Sequence, residues 1–230
     1  MTAETGDDPV EGAVAPELAA ELPGLRLRWT VVTSATGRTP RALRDRLEDV
    51  SNRFRGPNAI ALRTRPVPRA YRVLFRQVGL DPDVDRTPVE QAAVERLVRG
   101  ELHSGDRVAD ALVLAVIETG VPVVAFDEAA LNGEVTLRAA AAGETLPAGK
   151  YAHDLPRGRV VLADAHGPVA VLFGRMSDRH APGRGCTRVR LVAVQAPGVP
   201  RAHVDEALWL AASGLSEAAA GAVDAPSPPG

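Results

Sequence analysis

The hydrophobic pattern of the chain changes once, near residue 121, and this order of elements constrains the fold more than any other feature. Before that point apolar residues mostly recur at helical spacing, and after it they form short alternating or continuous runs bounded by turn residues. Helices first and strands later are typical of α+β domains, because α/β domains interleave the two. We therefore predict an α+β, three-layer domain with helices in the N-terminal half and mostly antiparallel strands in the C-terminal half.

The predicted helices have recognisable ends. Thr39 and Pro40 open the first, Gly79 ends the second, Thr87 and Glu90 form a capping box at the third, and Asp106 caps the fourth. Residues 111–117 of the fourth helix are apolar on every face, which places it at the centre of the domain. A last helix is predicted over residues 201–212.

One strand is predicted before the helices and five after them, over residues 25–33, 121–126, 134–138, 159–163, 169–173 and 188–194. The turn at residues 164–168 joins two of them as a hairpin. Residues 1–22 are expected to be a disordered acidic tail, 23–213 a single domain, and 214–230 a disordered Pro/Ala-rich tail.

Composition and motif spacing exclude several classes of protein. No run approaches the roughly 18 apolar residues of a membrane span, and the single cysteine, Cys186, excludes an internal disulfide framework. Residues 143–150 depart from the P-loop spacing, and the histidine–aspartate pairs near residues 164–166 and 178–180 are more typical of polar turns than of metal sites. We expect a cytoplasmic protein with no metal and no cofactor.

The net charge of -2 conceals a strongly basic block. Residues 26–76 hold thirteen arginines and three acids, whereas the segments on either side are acidic. Such a block is typical of a surface that contacts a polyanion, most often nucleic acid. Arg44, Arg46 and Arg53 are candidates for RNA phosphate contacts, although some of these arginines are expected to pair with acids of the fold.

Three polar residues stand where the pattern predicts burial. Asp110 opens the apolar fourth helix, where it can favour the helix dipole or face a pocket. Arg138 ends a strand and Glu144 follows a run of small residues, so the two can form a structural ion pair or belong to a site. The residues alone leave these alternatives open.

A series of short motifs, in this order, resembles the B3/B4 domain of the phenylalanyl-tRNA synthetase β subunit in its stand-alone form. The motifs are Pro68-Arg-Ala-Tyr71-Arg72, Gly79-Leu-Asp-Pro82, Arg86-Thr-Pro-Val-Glu90 through Glu95-Arg96, Val108-Ala-Asp110, Pro122-Val-Val-Ala-Phe-Asp127, Gly133-Glu-Val-Thr-Leu-Arg138, Ala142-Gly143-Glu144, Val161-Leu-Ala-Asp164 and Leu172-Phe-Gly174. The likeness covers roughly residues 50–195.

The resemblance implies a pocket between the layers of the domain and tRNA or another RNA as partner. In the synthetase this domain hydrolyses tyrosine wrongly esterified to phenylalanine tRNA, so the resemblance implies a trans-editing hydrolase of mischarged aminoacyl-tRNA. It makes Glu144 and Asp110 the catalytic candidates, and Arg138, Arg72 and Arg96 the substrate-binding ones, with an amino-acid moiety in the pocket.

One departure from the family keeps other functions open. The family commonly has an asparagine a few residues after the Val-x-Asp motif, whereas residues 111–115 here are apolar. The alternatives are therefore a non-catalytic RNA-binding module, which the apolar helix favours, and a small-molecule pocket protein of the same fold, which the basic block disfavours.

Overall fold

The computed structural model describes residues 8–34, 36–53, 61–102, 104–149 and 151–221. Their strands are β1 (Val10–Val14), β2 (Arg26–Thr33), β3 (Val123–Asp127), β4 (Thr136–Ala139), β5 (Thr145–Ala148), β6 (Tyr151–Asp154), β7 (Val160–Asp164), β8 (Gly167–Val171) and β9 (Arg188–Gln195). Their α-helices are α1 (Pro16–Glu21), α2 (Arg41–Arg53), α3 (Pro66–Gln77), α4 (Pro88–Arg99), α5 (Arg107–Thr119) and α6 (Arg201–Gly221).

A seven-stranded mixed sheet organises these elements, with the strand order β3-β9-β2-β1-β4-β7-β8. Its pairs are antiparallel except β1 with β4, which run parallel. α6 packs across β2, β9 and β3, α5 lies against α6, and α2 packs on both helices. The sheet, the α5–α6 pair and α2 thus form successive layers, and the predicted α+β fold class is confirmed.

The predicted starts of α4 and α5 are confirmed, whereas that of α2 differs. Thr87 and Glu90 form the capping box of α4, and the Asp106 carboxylate accepts a hydrogen bond from the Ala109 N–H at 2.9 Å. Gly100 and Gly120 end α4 and α5 in the left-handed conformation, with φ of 84° and 77°. Thr39 differs, because its hydroxyl hydrogen-bonds Asp110 instead of capping α2.

The N-terminal prediction was wrong for residues 10–21, which form β1 and α1. β1 lies between β2 and β4 and joins two parts of the sheet. A Cβ on Gly12 would lie 3.0 Å from Leu27 Cδ2, so a side chain there would crowd β2. β1 is held largely by backbone hydrogen bonds and buries little of its own side-chain surface, which explains why its sequence shows no strand pattern.

The C-terminal boundary was also placed too early, because α6 continues to Gly221. A Cβ on Gly214 would lie 3.1 Å from the Ala111 Cβ, so this glycine allows α5 and α6 to approach closely and does not end the helix. Residues 222–230 of the expected tail lie outside the described residues.

The hairpin of β5 and β6 was not predicted. These strands pair with each other in a separate two-stranded sheet, and β5 packs against β8. Under the hairpin lies a small apolar cluster that includes Leu146, Leu155 and Val161. The hairpin was missed because its strands are short, do not alternate, and include Pro147.

Candidate functional site

A cavity of about 430 Å³ lies between the α4–α5 helices and the strands β3, β7, β8 and β9. Its walls are apolar side chains from several elements, among them Leu112, Val113, Val116, Val124, Val192 and Val194. Leu112 and Val113 are only half-buried because protein does not cover this side of α5. A helix that is apolar on every face was expected to be fully buried, and its uncovered side instead forms the cavity wall.

The polar side chains among the described cavity-lining residues are Arg86, Gln91 and Glu95, which belong to α4 and the turn before it. The Gln91 amide donates a hydrogen bond to Glu95 Oε1 at 2.9 Å, and the Arg86 side chain is exposed. The cavity can therefore receive an apolar group and offer charges of both signs to a polar group beside it.

A tight turn after β8 closes another side of the cavity. The Gly174 N–H donates to the Val171 carbonyl at 3.0 Å, and Phe173 adopts a positive φ of 57°. The Phe173 ring stacks on Phe75 with centroids 4.5 Å apart and meets Tyr71 edge-to-face at 6.1 Å. This aromatic cluster supports a conformation that is uncommon for a bulky residue. The predicted strand over 169–173 therefore ends earlier, at Val171.

Tyr71 connects the aromatic cluster to the sheet. Its hydroxyl donates to the Val194 carbonyl at 2.8 Å, and burial raises the pKa of this phenol above its ordinary value. Tyr71 therefore stays neutral at physiological pH and acts as a hydrogen-bond donor within the core.

The structure brings Arg138 and Glu144 together, as the ion-pair alternative predicted. The two guanidinium nitrogens donate to the two carboxylate oxygens at 2.7 and 2.6 Å, and the Ala141 N–H also donates to Glu144 at 2.8 Å. These hydrogen bonds lower the pKa of Glu144 and raise that of Arg138. Neither residue lines the 430 Å³ cavity.

Asp110 is fully buried in a hydrogen-bond cluster away from the cavity lining. It accepts hydrogen bonds from the Thr39 hydroxyl at 2.5 Å, the Ser104 N–H and hydroxyl at 2.7 Å each, and the Gly105 N–H at 3.2 Å. Both carboxylate oxygens are thus occupied by donors of the fold. This geometry gives Asp110 a structural role, holding the segment before α2 to the loop before α5.

Arg72 and Arg96 are placed differently from each other. Arg72 is buried and donates to Glu90 at 2.7 Å, to Asp83, and to the Pro82 carbonyl at 3.1 Å. Burial lowers its pKa, but the two carboxylates outweigh burial and raise it overall. Arg96 is half-buried on α4, and its buried Nε has no hydrogen-bond partner among the described residues.

The RNA-binding candidates lie on α2. Arg44 is exposed and lines a second, polar cleft of about 530 Å³ between α2 and residues 100–102. Arg46 is half-buried, and Arg53 donates to Glu118 at 2.7 Å. None of the eight residues proposed from the sequence lines the apolar cavity.

Much of the basic block is paired within the fold. Arg28 and Arg72 form buried ion pairs, and the other arginines with acidic partners are Arg26, Arg41, Arg53, Arg63 and Arg76. Arg38, Arg44, Arg65 and Arg69 have exposed side chains, while Arg55 lies outside the described residues. The polyanion-binding charge of this segment is therefore smaller than its sequence predicts.

In the described part of the chain, no group of three or more His, Cys, Asp or Glu side chains is arranged to hold a metal ion, and no helix has the length and hydrophobicity to cross a membrane. Cys186 is buried, and burial raises the pKa of its thiol to about 11. A thiol with that pKa is a poor nucleophile at neutral pH.

Comparisons with known proteins identify the family. The family model described as the B3/4 domain matches residues 70–191, which is more than half of the chain and includes the walls of the cavity up to β9. A phenylalanine--tRNA ligase beta subunit from Legionella pneumophila (strain Paris) is 37% identical over 79 residues. That match covers 34% of this chain and 9% of the ligase subunit. The chain therefore belongs to the B3/4 domain family.

Proposed function

We propose that this chain is a tRNA-binding module that receives the amino-acid side chain of an aminoacylated tRNA in the 430 Å³ cavity. Membership of the B3/4 domain family and the similarity to a phenylalanine--tRNA ligase beta subunit support a tRNA partner. The observation that carries the proposal is an apolar cavity whose polar side chains lie together at one edge.

The dimensions and chemistry of the cavity fit such a group. Small-molecule pockets have volumes of roughly 300–1,000 Å³, so this cavity is large enough for an aromatic or branched aliphatic side chain. At its polar edge the Glu95 carboxylate suits the α-ammonium group, and the exposed Arg86 suits a ribose-phosphate oxygen. The amino-acid moiety would thus bind as part of the aminoacyl-tRNA.

We further propose that binding is not followed by hydrolysis. Positioning a water for attack on the ester calls for a general base or another polar group inside the cavity. Among the described lining residues, Glu95 is the one carboxylate, and the proposed contact with the α-ammonium group together with the hydrogen bond from Gln91 would engage it. The earlier catalytic candidates Glu144 and Asp110 are held by Arg138 and by the Thr39–Ser104 cluster.

Binding measurements with charged and uncharged tRNA test the cavity assignment. We expect the wild type to bind phenylalanyl-tRNA more tightly than the same tRNA without its amino acid. Val113→Trp, which fills the cavity, should abolish this preference. Val73→Trp is the matched control, because Val73 is exposed on α3 and does not line the cavity. Equal affinities of the wild type for both forms would contradict the assignment.

Salt dependence tests the contribution of the basic block. Each phosphate contact adds about 0.7–0.9 to the slope of log affinity against log salt concentration. A triple variant with Arg44, Arg46 and Arg53 changed to alanine should lower that slope if these side chains contact RNA.

A protein that binds free amino acids but no tRNA would instead be a small-molecule pocket protein.

Release of tyrosine from tyrosyl-tRNA specific for phenylalanine distinguishes a binding module from an editing hydrolase. We expect no release above the spontaneous rate. Turnover by the wild type that is lost in Glu144→Ala would contradict this expectation and establish hydrolysis with Glu144 in the site. Glu144→Gln distinguishes the carboxylate charge from the shape of the side chain, since it keeps the shape and removes the charge.

A further inference from the structure

The β5–β6 hairpin displays an exposed aromatic side chain in a chain with few aromatics. Aromatic residues make up 3% of the sequence, and Tyr151 on β6 is 77% exposed. The four residues of β6 are all exposed, and β6 pairs only with β5 among the described strands. An exposed tyrosine on a supported strand provides a flat surface on which a nucleobase can stack.

Tyr151 and His153 share one face of the hairpin. They lie two residues apart on β6, so their side chains project to the same side. His153 lies opposite Leu146 on β5, and directly opposed residues of an antiparallel pair also share a side. Leu146 is buried in the small cluster under the hairpin. Tyr151 and His153 therefore project from the side of the hairpin that faces β8, and both side chains remain exposed there.

This face lies beside the chain segment that closes the cavity. Ser177 donates its N–H to the Val169 carbonyl, and Met176 bridges to Ala170, so residues 175–177 run antiparallel to β8 at the sheet edge. Met176 lines the cavity, whereas Arg175 Nη1 lies 3.1 Å from His153 Nε2. The segment therefore has the cavity on one side and the hairpin on the other.

Gly174 lies between the cavity and the hairpin. It is exposed and also lines the cavity. Since Gly174 has no side chain, an extended ligand can cross from the cavity to Arg175 without meeting a bulky group. Among the described residues, Arg175 and Arg179 are exposed cations beside the hairpin, and Asp154 and Asp178 are exposed acids there. Arg175 lies on the route between the cavity and Tyr151.

We propose that the surface formed by Tyr151, His153 and Arg175 holds the unpaired 3′ end of the tRNA, with a base stacked on Tyr151 and a backbone phosphate at Arg175. This inference rests on the proposed function, because the amino acid of an aminoacyl-tRNA is attached to that same 3′ end. A group held in the cavity would bring the adjoining nucleotides across Gly174 to this surface.

The test compares intact uncharged tRNA with tRNA lacking its unpaired 3′ nucleotides. We expect Tyr151→Ala to weaken binding of intact tRNA about tenfold and Tyr151→Phe to retain binding, because stacking needs the ring and not the hydroxyl. Arg175→Ala should also weaken it. The shortened tRNA should bind the wild type and all three variants equally. Trp209→Ala is the matched control, since Trp209 is an exposed aromatic on α6 outside this surface.

The outcomes separate this inference from the proposed function. Suppose that the wild type prefers intact tRNA while Tyr151→Ala and Arg175→Ala bind it as the wild type does. The hairpin surface would then be excluded, and tRNA binding would stand. If the wild type binds neither form of tRNA, both proposals fail. Thermal unfolding of each variant confirms that the exposed substitutions leave the fold intact.

Discussion

At the scale of the residue, Asp110 illustrates how a carboxylate that resembles a site residue can have both of its oxygens engaged in hydrogen bonds within the fold. Its position after Val108 matches a family motif, yet its oxygens accept hydrogen bonds from Thr39, Ser104 and Gly105. A carboxylate whose oxygens already accept several hydrogen bonds from its own fold has few acceptor positions left for a ligand. The family motif at Asp110 therefore belongs to a residue that connects two segments of the fold.

Removing this carboxylate should destabilise the protein strongly. Asp110→Ala leaves several buried donors unpaired, and we expect it to lower the free energy of unfolding by about 3 kcal/mol. Asp106→Ala, at the N-cap of the same helix, should lower it by only about 1 kcal/mol. Urea denaturation of both variants measures the difference. Equal losses would show that the buried cluster contributes little.

At the scale of the element, α5 connects the core to the site. One side packs on α6, another on α2, and the side with Leu112, Val113 and Val116 lines the cavity. Gly120 ends the helix against α3, where a Cβ would lie 3.1 Å from Pro68 Cδ. The end of α5 is thus fixed both by backbone conformation and by a close contact.

Two alanine substitutions separate these two effects. Gly100→Ala introduces a left-handed alanine with open space around it, and we expect a loss of about 1 kcal/mol. Gly120→Ala should cost more, because its Cβ also meets Pro68. Chemical denaturation of the two variants gives the comparison. A larger loss for Gly100→Ala would contradict the contact at Pro68.

Elements with local signals were predictable, and those held by distant partners were not. The capping box at Thr87 and the cap at Asp106 specify the starts of α4 and α5 through neighbouring residues. By contrast, β1 exists because β2 and β4 lie on either side of it. The resemblance implied a pocket between the layers, but the residues that line it escaped prediction for the same reason: its walls come from separate elements, and valines and leucines that line a cavity look like any others in sequence.

At the scale of the whole molecule, the N-terminal segment completes the sheet. Among the described strands, β1 links β2 to β4, so its removal would leave β3-β9-β2 and β4-β7-β8 without a shared hydrogen-bonded neighbour. The segment that carries no strand pattern in the sequence therefore supports the continuity of the main structural layer.

Deleting residues 1–22 should consequently lower the thermal stability substantially, with a loss of cooperativity in the unfolding transition. The control is a truncation that begins at Asp8 and keeps β1 and α1. Circular dichroism during heating compares the two shortened proteins with the full chain. A deletion of residues 1–22 that melts like the control would contradict the bridging role of β1.

The position of β9 also bears on how the chain reaches its fold during synthesis. β9 pairs with β2 on one side and β3 on the other, although it is made long after both. At about 5–20 residues per second, the ribosome takes roughly ten to thirty seconds to add the residues between β2 and β9. Until β9 is made, the edges of β2 and β3 that it covers stay unpaired, which favours aggregation. The nascent chain is thus vulnerable until β9 has emerged, and expression yield should depend on chaperone supply.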